Sequence, residues 1–309
     1  MKVINSYIPN TGNNEARILP YQALGLALSS ALARKHYDKV ELYTSSIMYE
    51  TLEKLQLPYT YINVVDDSLI NNIGPMTVPK VAIMSIQEEP FIHIDYDTFL
   101  YRKLDEDKLH EITFCHPDVP KVRNIAHLCG VYDSYGALYR EMNNKLPQWY
   151  YDVEVTDLPN MNMVSIPAHR LDVFKMACKL ALTYYYDHKE NWDKHAPSGI
   201  AVEQLGIAAI LKKLQIETDF YFNDIPSAID ATDSTFRTWT FSDHVENSFY
   251  EVDIDLDNNP EALVDEEFGG YVHTSGYWLN RTGTIRMMKQ KLIYMGHENV
   301  VKNIEKFLE

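Results

Sequence analysis

Cysteine is scarce: the 309 residues hold three, Cys115, Cys129 and Cys178, widely spaced and odd in number. They build neither a disulfide framework nor a CxxC metal pair, and a reducing cytoplasm is the simplest compartment. Long apolar runs are missing too. The most apolar stretch, residues 21–33, is interrupted by Gln and Ser and falls short of the eighteen or so residues that cross a bilayer, so no transmembrane segment is expected. The first seven residues alternate like a strand, without a charged region leading into an apolar one, so they do not read as a signal peptide. Basic residues are in deficit: 28 Lys and Arg against 44 Asp and Glu give a net charge of −16. Such a surface repels phosphate backbones and argues against a nucleic-acid partner, whereas its carboxylates suit a divalent cation. No GxGxxG follows a strand, and neither a GxxxxGKS/T nor an HExxH occurs, so dinucleotide, P-loop and zincin chemistry lack their signatures. There is also no internal repeat, low-complexity tract or long linker.

What is present belongs to a folded α/β protein, with 46% hydrophobic and 23% charged residues. Spacing predicts a strand over 3–8, a helix over 16–35, a strand over 39–43, a helix capped by Ser45 or Ser46 that ends before Pro58, a strand over 59–64 and a helix over 78–86. Strands alternating with helices indicate crossover units and a mostly parallel central sheet flanked by helices. Further on, the pattern predicts a strand over 161–166, helices over 168–188 and 202–214, a strand over 218–222, and two C-terminal helices over 284–294 and 298–308. Between 226 and 270 periodicity dissolves into acids and aromatics, among them Phe236, Trp239, Phe241 and Tyr250. A structureless stretch of that length reads as long loops, a lid or binding loop before a linker.

Chemistry concentrates in FIHIDYDTFL, residues 91–100. An apolar strand delivers Asp95 and Asp97 at its C-terminal end, where loops of an open α/β sheet meet ligands. Two carboxylates one residue apart can approach one divalent cation, and oxygen ligands suit Mg²⁺ or Mn²⁺. The alternating Asp253, Asp255 and Asp257 open like an EF-hand loop, but Asn258 replaces the turn glycine and Val264 falls where the bidentate Glu belongs; an acidic surface loop is the better reading.

The strand running into Asp-x-Asp resembles the DXD motif of GT-A glycosyltransferases, closest to family eight and to bacterial GT-A-like proteins. KVELYTSS followed by LEKLQLPYTYI resembles the second strand and helix of the nucleotide-binding half, and Val202-Glu203-Gln204 resembles an acidic-Gln segment of the acceptor half. Tyr271-Val272-His273-Thr274-Ser275-Gly276 resembles the family's His-x-x-Gly. The resemblance implies a single GT-A-like domain over 1–309, with residues 1–120 as the nucleotide-binding half and 121–309 as the acceptor half. It implies a metal-dependent transfer of a sugar from a nucleotide-diphosphate donor, a UDP-sugar foremost, to a glycan, lipid-linked sugar or protein acceptor. Asp97 would ligate Mn²⁺ or Mg²⁺ directly, with Asp95 on the metal, a metal-bound water or the ribose, and His273 as third ligand favouring Mn²⁺. Ser6, Tyr7, Lys80, Gly276 and Arg281 would contact the donor, and Glu203 is a candidate base. The chain departs from the family in two places: Leu279 stands where a lysine pairs with the diphosphate, leaving Arg281 or Arg286 to supply the charge, and the Gly-rich, Asn-containing segment of the acceptor half appears only as the unlike Asn160-Met161-Asn162-Met163-Val164-Ser165. Two alternatives remain, a non-catalytic nucleotide-sugar or glycan binder with a transferase fold, and a haloacid-dehalogenase-type phosphohydrolase with Asp95 as nucleophile and Asp97 as acid.

Overall fold

The computed structural model describes residues 1–9, 17–70, 77–117, 159–192, 201–222, 236–238, 271–273, 279–280 and 282–308. In chain order these form β1 (Lys2–Tyr7), α1 (Pro20–Arg34), β2 (Val40–Thr44), α2 (Ser46–Leu55), β3 (Tyr61–Val64), α3 (Asp67–Ile70), α4 (Val78–Ser85), β4 (Phe91–Ile94), β5 (Thr98–Leu100), β6 (Ile112–Pro117) and β7 (Pro159–Ile166). There follow α5 (Leu171–Asp187), α6 (Lys189–Trp192), α7 (Ile207–Lys213), β8 (Thr218–Phe220), β9 (Phe236–Thr238), β10 (Tyr271–His273), α8 (Thr282–Tyr294) and α9 (Glu298–Leu308). The α/β class and the mostly parallel strand pairing are as expected. Two compact units interleave along the sequence: a β1 unit of Lys2–Val64, Ile94–Leu104 and Pro226–Glu309, and a β7 unit of Met1, Val65–His93 and Asp105–Ile225.

In the β1 unit, β3, β2 and β1 lie side by side in that order, parallel, with Asn5 level with Leu42 and Leu42 level with Ile62. The crossover helix α1 is apolar on every side, and its residues from Ala23 to Ala33 are all buried, as such a composition requires. It starts at Pro20 rather than at the expected Ala16. Proline presets the helical φ, needs no donor in the first turn and pushes the preceding Leu19 into an extended conformation (φ −88°, ψ 150°). Gln22 Oε1 then accepts the Leu19 N–H at 3.0 Å. The more amphipathic α2 buries Met48, Leu52 and Leu55 and ends on Gln56 in the left-handed region (φ 54°). Asn303 of α9 covers that end, donating to the Leu55 carbonyl at 3.4 Å and to Gln56 Oε1 at 3.3 Å. Leu28 and Leu32 of α1 share a core with Met288 and Leu292 of α8 and Ile304 of α9. A small second sheet pairs β5 antiparallel with β10, and β10 parallel with β9. Phe236 therefore belongs to a short strand inside the stretch expected to be loop; the remainder of 226–270 lies outside the described residues.

In the β7 unit the order is β4-β7-β6-β8, with β6 antiparallel to β7 and parallel to β8. The helix α5 turns Phe174, Cys178, Ala181 and Tyr185 inward, and Phe174 meets Phe91 of β4 edge-on at 6.3 Å. The expected helix over 202–214 is two pieces. Ala201–Gly206 winds as a π-helix, and only α7 is α-helical. Widened turns of this kind are rare and recur at functional sites. Among the described residues no helix is long and apolar enough to cross a membrane.

Candidate functional site

All four residues of β4, the polar His93 among them, are fully buried, as in a strand covered on both faces. Beyond Ile94 the chain turns at once. Thr98 N–H donates to the Asp95 carbonyl at 2.9 Å, closing a β-turn over 95–98 whose central residues are Tyr96 and Asp97. Asp95 and Tyr96 are half-buried, while Asp97 is 7% exposed.

Tyr96 anchors the turn within the β1 unit. Its ring meets Tyr7 edge-on, with centroids 6.0 Å apart and planes at 82°. Tyr7 in turn donates to Gln22 Oε1 at 2.9 Å. Burial first, and the Asp97 charge second, push the Tyr96 phenol well above the ordinary tyrosine value, with a Gln22 hydrogen bond working the other way. Burial, then Tyr21, raises Tyr7 likewise, so both rings stay neutral hydrogen-bonding groups at physiological pH. Neither Tyr96 nor Gln22 stood out in the sequence, because an aromatic between two acids carries no periodic signal.

The other expected residues divide between the units. Ser6 is half-buried on β1, level with Tyr43 of β2, and the next carbonyl, of Tyr7, accepts from Thr44 Oγ1 at 2.7 Å. Strand pairing places His273 level with Thr98, one residue past Asp97; its side chain lies outside the described residues. Gly276 and Arg281 also lie outside them. Leu279 is fully buried, packed where a Cβ on Gly25 would come within 2.8 Å of its Cδ2. Arg286 is exposed on α8. Lys80 and Glu203 belong to the β7 unit, where they meet: Lys80 Nζ lies 2.5 Å from the Glu203 carboxylate and donates to the Met161 carbonyl at 2.6 Å, with both side chains about 5–6% exposed. Two residues expected in separate roles thus form one buried ion pair.

Asp95 and Asp97 present hard oxygen donors on one turn. Carboxylate oxygens of this kind are the donors that Mg²⁺ or Mn²⁺ takes, so the residue types on the turn fit such a cation. Among the described residues no cluster of three or more His, Cys, Asp or Glu is gathered for a metal. Further ligands would come from water or from residues outside that set.

The model of a family of unknown function, DUF6734, matches residues 5–251. The chain belongs to this family. Among curated proteins no relative matches the sequence. In three dimensions this DUF6734 protein is similar to an active-site mutant of LgtC at 11% identity and a TM-score of 0.47, covering 94% of this chain and 95% of that one. It is also similar to the galactosyltransferase LgtC in complex with donor and acceptor sugar analogues, at 10% identity, a TM-score of 0.44 and coverages of 99% and 96%. A third similar structure is the bifunctional glycosyltransferase WbbM, at 10% identity and a TM-score of 0.49, covering 98% of this chain and 51% of WbbM.

Proposed function

We propose that this DUF6734 protein is a metal-dependent glycosyltransferase that moves a sugar from a nucleotide-diphosphate donor, a UDP-sugar foremost, to a glycan, lipid-linked or protein acceptor. The observation that carries the reading is the acidic turn. A fully buried strand ends in a tight turn bearing Asp95 and Asp97, with the backbone of His273 paired to the residue that follows. In this reading Asp97 and Asp95 hold the cation, with His273 as a further ligand. A bound divalent cation would supply positive charge where the departing diphosphate gains negative charge. The chain's own part is to fix the two carboxylates, to present Ser6 and Tyr7 at the end of β1 for the nucleoside, and to keep Tyr96 a neutral anchor. Arg281 and Gly276 stay assigned to the diphosphate side. Glu203 stays the candidate base near the acceptor, its carboxylate held by Lys80. We keep residues 1–120 as the nucleotide-binding half and the cytoplasm as the compartment.

Leu279 favours a second reading, a nucleotide-sugar binder without turnover. The residue at the position of the family lysine is committed to the core and offers no charge.

The test is titration calorimetry of UDP with Mn²⁺ into wild type and Asp97→Asn, joined to a donor-hydrolysis assay. The amide keeps shape and one acceptor but removes the charge that holds the cation, so metal-dependent affinity should fall by about 2 kcal/mol or more with the fold intact. Slow release of UDP supports the transferase, release of inorganic phosphate the phosphohydrolase, and release of neither the binder. Equal UDP affinities in the two proteins would remove Asp97 from the site.

A further inference from the structure

The carboxamide of Asn5 is fully buried in the middle of β1. Its Nδ2 donates to the Ile94 carbonyl at 2.7 Å and to Ser29 Oγ at 3.4 Å, and its Oδ1 accepts from the Tyr59 hydroxyl at 2.9 Å. The Ile94 carbonyl has no hydrogen to give, so the amide group must face it and the orientation is fixed. Ile94 is the last residue of β4, so the Asn5 side chain takes the carbonyl at which the strand gives way to the turn. The next residue is Asp95.

A second contact fixes the same turn one peptide further on. Gly25 of α1 lies against it so closely that a Cβ there would stand 3.1 Å from the Tyr96 carbonyl and 3.3 Å from Tyr96 Cδ2. The absence of a side chain at Gly25 lets the helix backbone approach this peptide. Ile94 is held from β1 and Tyr96 from α1, with Asp95 between them.

The geometry points to Asn5 as a positioning residue: through the Ile94 carbonyl, and with Gly25 beneath Tyr96, it sets the backbone of the 95–98 turn and thereby the cation affinity of Asp95 and Asp97. The turn's geometry stands by itself, while the link to cation affinity rests on the transferase reading. Asn5 touches neither cation nor donor in this scheme; it acts from the core.

Asn5→Asp keeps the shape and the acceptor for Tyr59 but replaces the donor to Ile94 with a second oxygen. Tyr59→Phe is the matched control, since it removes a partly buried hydrogen bond from the other side of the same carboxamide and leaves the Ile94 contact untouched. Two readouts are taken on the full-length protein: hydrogen exchange of the Thr98 amide, which reports the turn without any ligand, and the Mn²⁺ concentration at half-maximal UDP binding. Asn5→Asp should speed Thr98 exchange and raise the Mn²⁺ midpoint by about tenfold or more, the usual scale for groups that orient metal ligands, with UDP binding largely restored at saturating Mn²⁺. Tyr59→Phe should do neither beyond its effect on global stability. Should Asn5→Asp fail to fold, Gly25→Ala crowds the Tyr96 carbonyl as well as the Leu279 side chain from the helix side and should move both readouts in the same direction. Unchanged Thr98 exchange and an unchanged midpoint in the folded variant would overturn the proposal. A wild type that binds UDP without regard to Mn²⁺ would sink the transferase reading and the affinity claim with it, while Thr98 exchange would still decide whether Asn5 holds the turn.

Discussion

A single position decides how far the chemistry of a resembling family carries over, and here it is Leu279. The resemblance would put a diphosphate-pairing lysine at this position, but the leucine there is fully buried and lies over the bare backbone of Gly25. Restoring the cation should therefore harm the protein. Leu279→Lys would bury an ammonium among apolar neighbours, at a cost of about 3 kcal/mol or more. Desolvation would depress the native pKa of the introduced amine below its unfolded value near 10.4, so the native state binds fewer protons than the unfolded state in the interval between them. The deficit relative to wild type should consequently shrink as pH rises toward about 10.4, which urea denaturation at pH 7 and pH 9.5 would show. A variant as stable as wild type at pH 7 would mean that the side chain at this position escapes to solvent, and would reopen it as a donor contact.

Among the elements, the three parallel strands of the β1 unit carry a polar knot on one face. Glu41 of β2 accepts from Lys2 of β1 at 3.0 Å, from the Tyr43 hydroxyl at 2.7 Å and from Asn63 of β3 at 3.4 Å, with Lys39 at 3.5 Å. Burial would raise the Glu41 pKa, but the Tyr43 and Lys2 hydrogen bonds and the Lys2 and Lys39 charges outweigh it and hold the carboxyl below the usual range. For Lys2, burial works toward a lower value, and Tyr43 and Glu41 outweigh it to leave the amine raised. A depressed carboxylate contributes stability above its unfolded pKa, near 4.3, and loses that contribution as pH falls through the native value. Glu41→Gln should therefore cost about 1–3 kcal/mol at pH 7 and progressively less toward pH 3. Urea midpoints across that range decide it, and a deficit independent of pH would show that the knot acts by shape alone. The elements themselves were legible because α2 and α9 bury faces that repeat at helical spacing and α1 is a long apolar run between strands. Spacing is blind to pitch over a single turn, so the π-wound Ala201–Gly206 passed for α-helix. It is equally blind to partners more than a hundred residues apart, so Lys80 and Glu203 read as two functional groups rather than one ion pair.

At the scale of the molecule, the acids of the 95–98 turn belong to a chain of net charge −16, and any divalent cation will find carboxylates on it. The Asp95–Asp97 pair could be read as a candidate site because an apolar strand ran into it. The Asn5 contact beneath it was not legible, because a lone Asn in a strand announces no partner eighty-nine residues away. Diffuse and specific cation effects separate by their response to salt. Repulsion spread over the surface is screened within about 8 Å at 0.15 M ionic strength, so raising NaCl should stabilise wild type and Asp97→Asn alike and abolish any further gain from a diffuse cation. A cation held by Asp95 and Asp97 beneath a diphosphate is screened much less. With Mn²⁺ and UDP each near a hundred times their dissociation constants, native-state binding adds about 2.7 kcal/mol, a rise of several degrees in melting temperature. In 0.3 M NaCl that rise should persist for wild type and vanish for Asp97→Asn, and Mn²⁺ without UDP should give only a fraction of it. If both proteins gain equally at high salt, the cation is acting on some other part of the acidic surface, and the turn after β4 loses its claim to be the metal site.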